Sequence, residues 1–227
     1  AILCDWNGTA VGILAFVLGF VSVLMSLLLP KLFRNKSNIT LVLSGIIVGA
    51  FMNSIIGLIK YLADRDDKLS AITFWMMGSV TGISMVEILY VLPLIVFATV
   101  VLLLMSYRID VISLGSDEAK TLGINYKKNR LVIIICSTIL TAASVSISGN
   151  VGWIGLVIPH MARAMTGNRT CESLPIAFFF GGCFMMIVDL MSRMLSKDDI
   201  PLSIITGIFG AIIYSVVLIK RGRTLND

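Results

Sequence analysis

Charge is scarce in this sequence. Asp, Glu, Lys and Arg make up 14% of its 227 residues, hydrophobic residues make up 57%, and the mean hydropathy is +0.97. A water-soluble domain needs far more polar covering than that. Histidine occurs once, at His160. There is no G-x-x-x-x-G-K-[ST] phosphate loop, so ATP is not bound by that route. The G-x-S-x-G elbow and the HExxH helix are missing too. The four cysteines, Cys4, Cys136, Cys171 and Cys183, form no CxxC or Cys/His cluster, which argues against a zinc site or a disulfide framework. Cys136 and Cys183 fall inside apolar runs and read as small packed hydrophobes. Carboxylates are nearly absent from those runs, which argues against an acidic proton relay. No enzyme constellation remains, and nothing calls for a cofactor or a bound metal. The chain begins at Ala1 with neither Met nor a charged leader, as a processed chain or a fragment would.

What is present is a series of long apolar runs. Seven are read, at about 9–29, 41–62, 86–105, 131–147, 151–166, 174–195 and 202–219. Most reach the ~20 residues needed to cross ~30 Å of hydrocarbon as a helix. They are too long for barrel strands and lack two-residue alternation. The expected fold is therefore an all-α, polytopic transmembrane helical bundle, one domain over 1–227. The fifth run is short and must tilt, lie deep in the protein or be only partly helical.

The net charge of +5 is explained by orientation and not by a nucleic-acid partner. One set of loops holds thirteen basic residues, from Lys31 through Arg108, Lys128 and Arg169 to Arg223. The other set holds five: Lys60, Arg65, Lys68, Arg193 and Lys197. The first set should face the cytoplasm, which puts the C-terminus inside and Ala1 outside.

Two loops are long enough to carry structure. The outer one, 64–87, contains "AITFWMMGSVTG" and is expected along the outer interface. The inner one, 108–130, reads "RIDVISLGSDEAKTLGINYKKNR". There Ser116 is expected to cap a short helix with Asp117 and Glu118 in its first turn, and Gly123 to stop it. Such a helix is too short to stand alone and is useful as a grip for a partner.

The stretch "SGNVGWIGLVIPHMAR" breaks the apolar rhythm. Gly149, Gly152 and Gly155 permit a sharp turn and close backbone approach, and Pro159 removes a donor and bends the short span. Such breaks are tolerated in a bilayer only inside protein or along a cavity, so the segment is expected at the centre of the bundle. His160 reads first as a packed, hydrogen-bonded residue near the inner end, with a direct ligand role as the alternative. Arg163 marks the inner interface.

With "LPIAFFFGGCFMMIVDLMSR" and "IPLSIITGIFGAIIYSVVLIKRGR" downstream, and "LVLSGIIVGAFMNSI", "FWMMGSVTG" and "SLGSDEAKTLGIN" upstream, the sequence resembles the FecCD-type permeases. These are membrane subunits of type II ABC importers for iron-siderophores, haem and cobalamin. The resemblance implies a bundle of about ten spans, of which the last seven match here, so a truncated chain is expected. It implies a cytoplasmic ABC ATPase subunit gripping the inner loop at Leu114, Gly115, Ser116, Asp117, Glu118, Ala119, Leu122 and Gly123. It also implies an extracytoplasmic binding lipoprotein or periplasmic protein, a second permease copy or paralogue, and a bacterial inner membrane. By the same resemblance Ser37, Asn38 and Thr40 are cytoplasmic-gate candidates, an ordinary helix cap being the alternative. Arg193, with Lys197 or Arg65, would meet the binding protein. Arg193 also stands four residues after Asp189, close enough to pair with it on one helix face, and could serve simply as an interface anchor.

Two other functions compete. A permease for bare divalent metal ions would want several His and acidic side chains along its path, and this chain has one His. A seven-helix receptor fits the span count and an outside N-terminus, but gives no reason for the Gly149–Gly155 break.

Overall fold

The computed structural model describes residues 2–4, 6–32, 38–63, 67–195 and 199–223. After a 3-10 turn at Ile2–Cys4, the described residues form ten α-helices and no strand. They are α1 (Gly8–Leu32), α2 (Asn38–Leu62), α3 (Lys68–Met77), α4 (Met85–Leu104) and α5 (Ser106–Leu114). Then follow α6 (Ser116–Thr121), α7 (Tyr126–Ser148), α8 (Ile154–Thr166), α9 (Thr170–Leu195) and α10 (Leu202–Arg223). The seven apolar runs become α1, α2, α4, α7, α8, α9 and α10. Five of these, α1, α2, α4, α7 and α9, are long and apolar enough to cross a membrane. As the short fifth run foretold, α8 has only 13 residues, about 20 Å of helix. The outer stretch expected along the interface holds the ten-residue α3.

Local chemistry sets several boundaries. Ser84 starts α4 with a capping box: its hydroxyl accepts the Glu87 N–H at 3.2 Å, and Glu87 Oε2 accepts the Ser84 N–H at 3.0 Å. Two of the helix's orphan donors are thereby satisfied. Asn125 does the same work for α7, its Oδ1 accepting the Lys128 N–H at 3.1 Å. Both caps fix where their helices begin.

The helices pack in two groups. In the first, α7 lies between α1 and α4, and α2 rests on α1. Ala98, Leu102 and Cys136 form the core between α4 and α7, and the Ser44 hydroxyl donates to the Ser26 carbonyl at 2.7 Å to join α2 to α1. In the second group α8, α9 and α10 pack on one another, with Val188, Leu202 and Ile205 forming the core between α9 and α10. His160 of α8 stacks on Tyr214 of α10, with centroids 5.6 Å apart and rings at 28°. His160 is packed, as expected, and the contact is ring on ring. A correction concerns Cys183, which is exposed, whereas Cys136 is buried. Among the described residues no buried side-chain polar atom lacks a partner.

One end of the bundle is joined backbone to backbone. The Ser79 N–H donates to the Ser148 carbonyl at 2.9 Å, and the Leu202 N–H donates to the Gly78 carbonyl at 2.9 Å. The Ser203 hydroxyl donates to the Met77 carbonyl at 2.6 Å. Gly78 (φ +76) and Gly149 (φ +69) make this possible. A Cβ on Gly149 would strike the Trp75 carbonyl oxygen and come within 3.0 Å of Gly78 Cα. A Cβ on Gly78 would lie 2.9 Å from the Ser148 carbonyl oxygen. This clasp ties the end of α3 to the end of α7 and the start of α10, and so joins the two groups.

The opposite behaviour of two nearby glycines tests the clasp. Gly149→Ala adds left-handed backbone strain to an overfilled contact and should cost roughly 2–5 kcal/mol. Gly152→Ala meets open space and should shift stability by no more than about 1 kcal/mol. Thermal unfolding of the two variants in one detergent reads the difference; equal melting temperatures would contradict the clasp.

Candidate functional site

At the end remote from the clasp, α5 and α6 form a corner. Gly115 makes the bend, at φ 134° and ψ 176°, a conformation open mainly to glycine. A Cβ there would lie 2.5 Å from Glu118 Oε2, so the Glu118 carboxylate folds back over the bend. Gly115, not Ser116, is the N-cap residue of α6, and Ser116 is the first helical residue. No side-chain cap bond forms there, which overturns the expected role of Ser116: a bend needing positive φ puts glycine in the cap position. The stop is as expected. Gly123, at φ +71, lets the Ile124 N–H reach back to the Ala119 carbonyl at 2.8 Å and its own N–H reach the Lys120 carbonyl at 3.0 Å. That pair is a Schellman ending.

The corner has an inside and an outside. Ala119 is fully buried, and α6 packs on α5 and α7, which supplies the stability a six-residue helix lacks. Leu114 and Leu122 stay exposed, at 66% and 55%. Between them lie Asp117 and Lys120, paired at 3.1 Å and largely solvated. The outward face of the corner thus carries two leucines flanking a solvated ion pair.

Side chains of α5 fasten this corner to both helix groups. Arg108 Nη1 donates to Asn129 Oδ1 of α7 at 3.3 Å, and Asn129 Nδ2 donates to the Asn125 carbonyl at 2.9 Å. The Asp110 carboxylate accepts the Thr170 N–H at the start of α9, at 3.0 and 3.2 Å. A cleft of about 380 Å³ opens beside the first link, with Arg108, Ile124, Asn125 and Lys128 in its walls. Sequence reasoning missed Asp110 and Asn129. Asp110 and Thr170 are 60 residues apart, and no local pattern announces their meeting.

The remaining expected positions lie elsewhere. Thr40 is half-buried in α2, and Asn38 is the first residue of that helix. Ser37, Arg65 and Lys197 lie outside the described residues. Arg193 Nε donates to Asp189 Oδ2 at 3.0 Å at the clasp end of α9. Of the three turn glycines, Gly149 alone makes a close approach; Gly152 and Gly155 have nothing within 4 Å of an added Cβ. Pro159 sits inside α8. The residue the sequence did not single out is Trp153, the one non-glycine with positive φ (68°) among the described residues. It precedes α8 and presses on Gly210 of α10, where a Cβ would come 2.6 Å from Trp153 Cβ. The exposed side of α2 carries Gly45, Gly49, Asn53, Ser54 and Gly57, and none of its three glycines has a neighbour within 4 Å of an added Cβ.

Comparison with known proteins places this geometry. The family model described as the FecCD transport family matches residues 2–220. The molybdate import system permease protein MolB of Haemophilus influenzae is 34% identical over 205 residues, 90% of this chain and 61% of that protein. The hemin transport system permease protein HmuU of Yersinia pestis is 32% identical over 184 residues, 81% of this chain and 54% of that one. The chain thus spans roughly three fifths of the length of such relatives. A solved inward-facing structure of a transporter assigned to the metal-chelate ABC type superposes with a TM-score of 0.90 at 32% identity, over 97% of this chain and 70% of that one.

The corner's own geometry is testable without any partner. Gly123→Ala places a Cβ at positive φ and should weaken the α6 ending by about 1 kcal/mol. Ser116→Ala removes no cap bond and should be silent. Hydrogen exchange of the amides at 119–124 reads both: faster in the first variant, unchanged in the second. Equal protection in the two would contradict the assignment.

Proposed function

The chain belongs to the FecCD transport family, and on that footing we propose that it is a membrane-spanning permease subunit of an ABC importer. Its solute is an iron-siderophore or a related metal chelate such as haem or cobalamin, carried inward across a bacterial inner membrane. The observation that carries this reading is the superposition of nearly the whole chain on an ABC transporter. The chain performs no chemistry on the solute. ATP is hydrolysed by a separate subunit, which grips Leu114, Gly115, Ser116, Asp117, Glu118, Ala119, Leu122 and Gly123. Their outward leucines and solvated charge pair suit such a contact.

The rest of the machine follows from where residues lie along the helices. The clasp end faces outward, where a binding protein meets Arg193, with Lys197 and Arg65 sharing the task. The corner faces the cytoplasm, as the basic loops require, and the C-terminus lies on that side. A second permease copy or paralogue completes the passage, which the small and polar side of α2 lines. Ser37, Asn38 and Thr40 form the cytoplasmic gate at its inner end. Gly149, Gly152, Gly155 and Pro159 shape the turn and kink beside the passage. A wide path of small side chains suits a bulky chelate better than a filter that strips a bare ion.

Two measurements test this reading. Purification of the protein with its genomic neighbours should recover an ATPase. Leu114→Asp with Leu122→Asp should weaken that complex about tenfold or more, the loss expected of buried anchors at an interface. Vesicles holding the assembled importer should take up a radiolabelled ferric hydroxamate or haem only with ATP. Uptake of molybdate alone would overturn the chelate assignment, and failure to recover any ATPase would overturn the importer.

A further inference from the structure

We propose that Asp110 is the joint through which α9 and the α5–α6 corner move together, so that contact at the outer face is felt by the ATPase. The inference rests on the importer reading and adds to it a residue and a path.

The bond is specific. Arg169 already accepts the Ser173 N–H at 3.0 Å, so the helix has begun at Thr170. The Thr170 N–H is one of the orphan donors of that helix start. Asp110 meets it with both carboxylate oxygens, at 3.0 and 3.2 Å. A charged acceptor on a helix N-terminus is favoured by the aligned backbone dipoles and forms a charge-assisted hydrogen bond. Both residues are half-buried, so salt screens the contact less than it would in the open.

Its position gives it a mechanical role. α9 runs 26 residues from Thr170 to Leu195, about 39 Å of helix. At one end it carries Arg193, held to Asp189, and at the other it is held by Asp110. A force at Arg193 is therefore delivered to α5. From α5 it reaches α6 through the Gly115 bend, and the Schellman ending at Gly123 closes α6 at its far end. Two residues before Asp110, Arg108 holds Asn129 and hence α7. With Asp110 intact the corner is tied to both helix groups. Without it α5 keeps only its packing against α9, and the corner follows α9 less closely.

The test uses the intact importer, with ATPase and binding protein, in lipid nanodiscs. ATP hydrolysis is measured with and without the binding protein. Asp110→Ala removes the acceptor. Thr170→Pro removes the donor from the other side, at a first helical position where proline is tolerated. Each should lower the binding-protein stimulation of hydrolysis by about fivefold or more, the size of an ordinary coupling between sites. The double variant should be no worse than either single one, because one bond is lost in all three. Asp110→Asn retains an acceptor oxygen and should restore stimulation to within about twofold of wild type, which a mere loss of folded protein would not allow. Stimulation in the wild type with both single variants unchanged would overturn the joint and leave the importer standing. A wild-type protein that recruits no ATPase would overturn both.

Discussion

In hydrocarbon every backbone N–H and C=O must find its partner within the protein, because an unmet one costs several kcal/mol. The described architecture follows that constraint. The long runs are helices because a helix pairs its own backbone, and the places where helices end are the places that need explaining. At the clasp, the loops after α3 and α7 pair with each other and with the start of α10. At the remote end, the start of α9 is satisfied by a carboxylate from α5. Neither arrangement leaves a buried side-chain polar atom without a partner among the described residues.

The two ends solve the same problem with different materials, and the difference has a functional meaning. The clasp is backbone on backbone through two glycines in left-handed conformations. Apart from the Ser203 hydroxyl it has no rotamer to change, and it has few ways to slip. At the other end the hydrogen bonds between elements are made by single side chains, Arg108 to Asn129 and Asp110 to Thr170, over packed helices. Such bonds reform at small displacements. For the proposed importer, a bundle fixed at one end and jointed at the other would be suited to rocking between states that a partner can favour differently.

The helical layout was legible because hydropathy reports immersion directly. All seven apolar runs proved to be helices, and the run between Val151 and Thr166 was recognisably too short to cross. Gly123 was legible as a stop because the reason for glycine there is local. What the sequence hid depends on tertiary meetings. Ser116 looked like a cap, and the bend at Gly115 took that position. Gly149, Gly152 and Gly155 looked alike, yet only Gly149 lies against another backbone. His160 stacks on a ring 54 residues further along the chain, at Tyr214. Cys183 sits in an apolar run, but on the exposed side of its helix. Asp110 carries no local signature at all. Position on a helix is written in the neighbours four residues away; the surface that will cover it is not.

The central claim is that the clasp and the corner lie on opposite sides of the bilayer. It is tested most directly by labelling two exposed positions, Thr81 beside the clasp and Ser116 on the corner. Each is changed to cysteine in a background with the four native cysteines replaced, and a membrane-impermeant maleimide is added to sealed vesicles of known orientation. The account predicts that right-side-out vesicles label the Thr81→Cys variant alone and inverted vesicles the Ser116→Cys variant alone. Labelling of both variants from the same side of intact vesicles would contradict it.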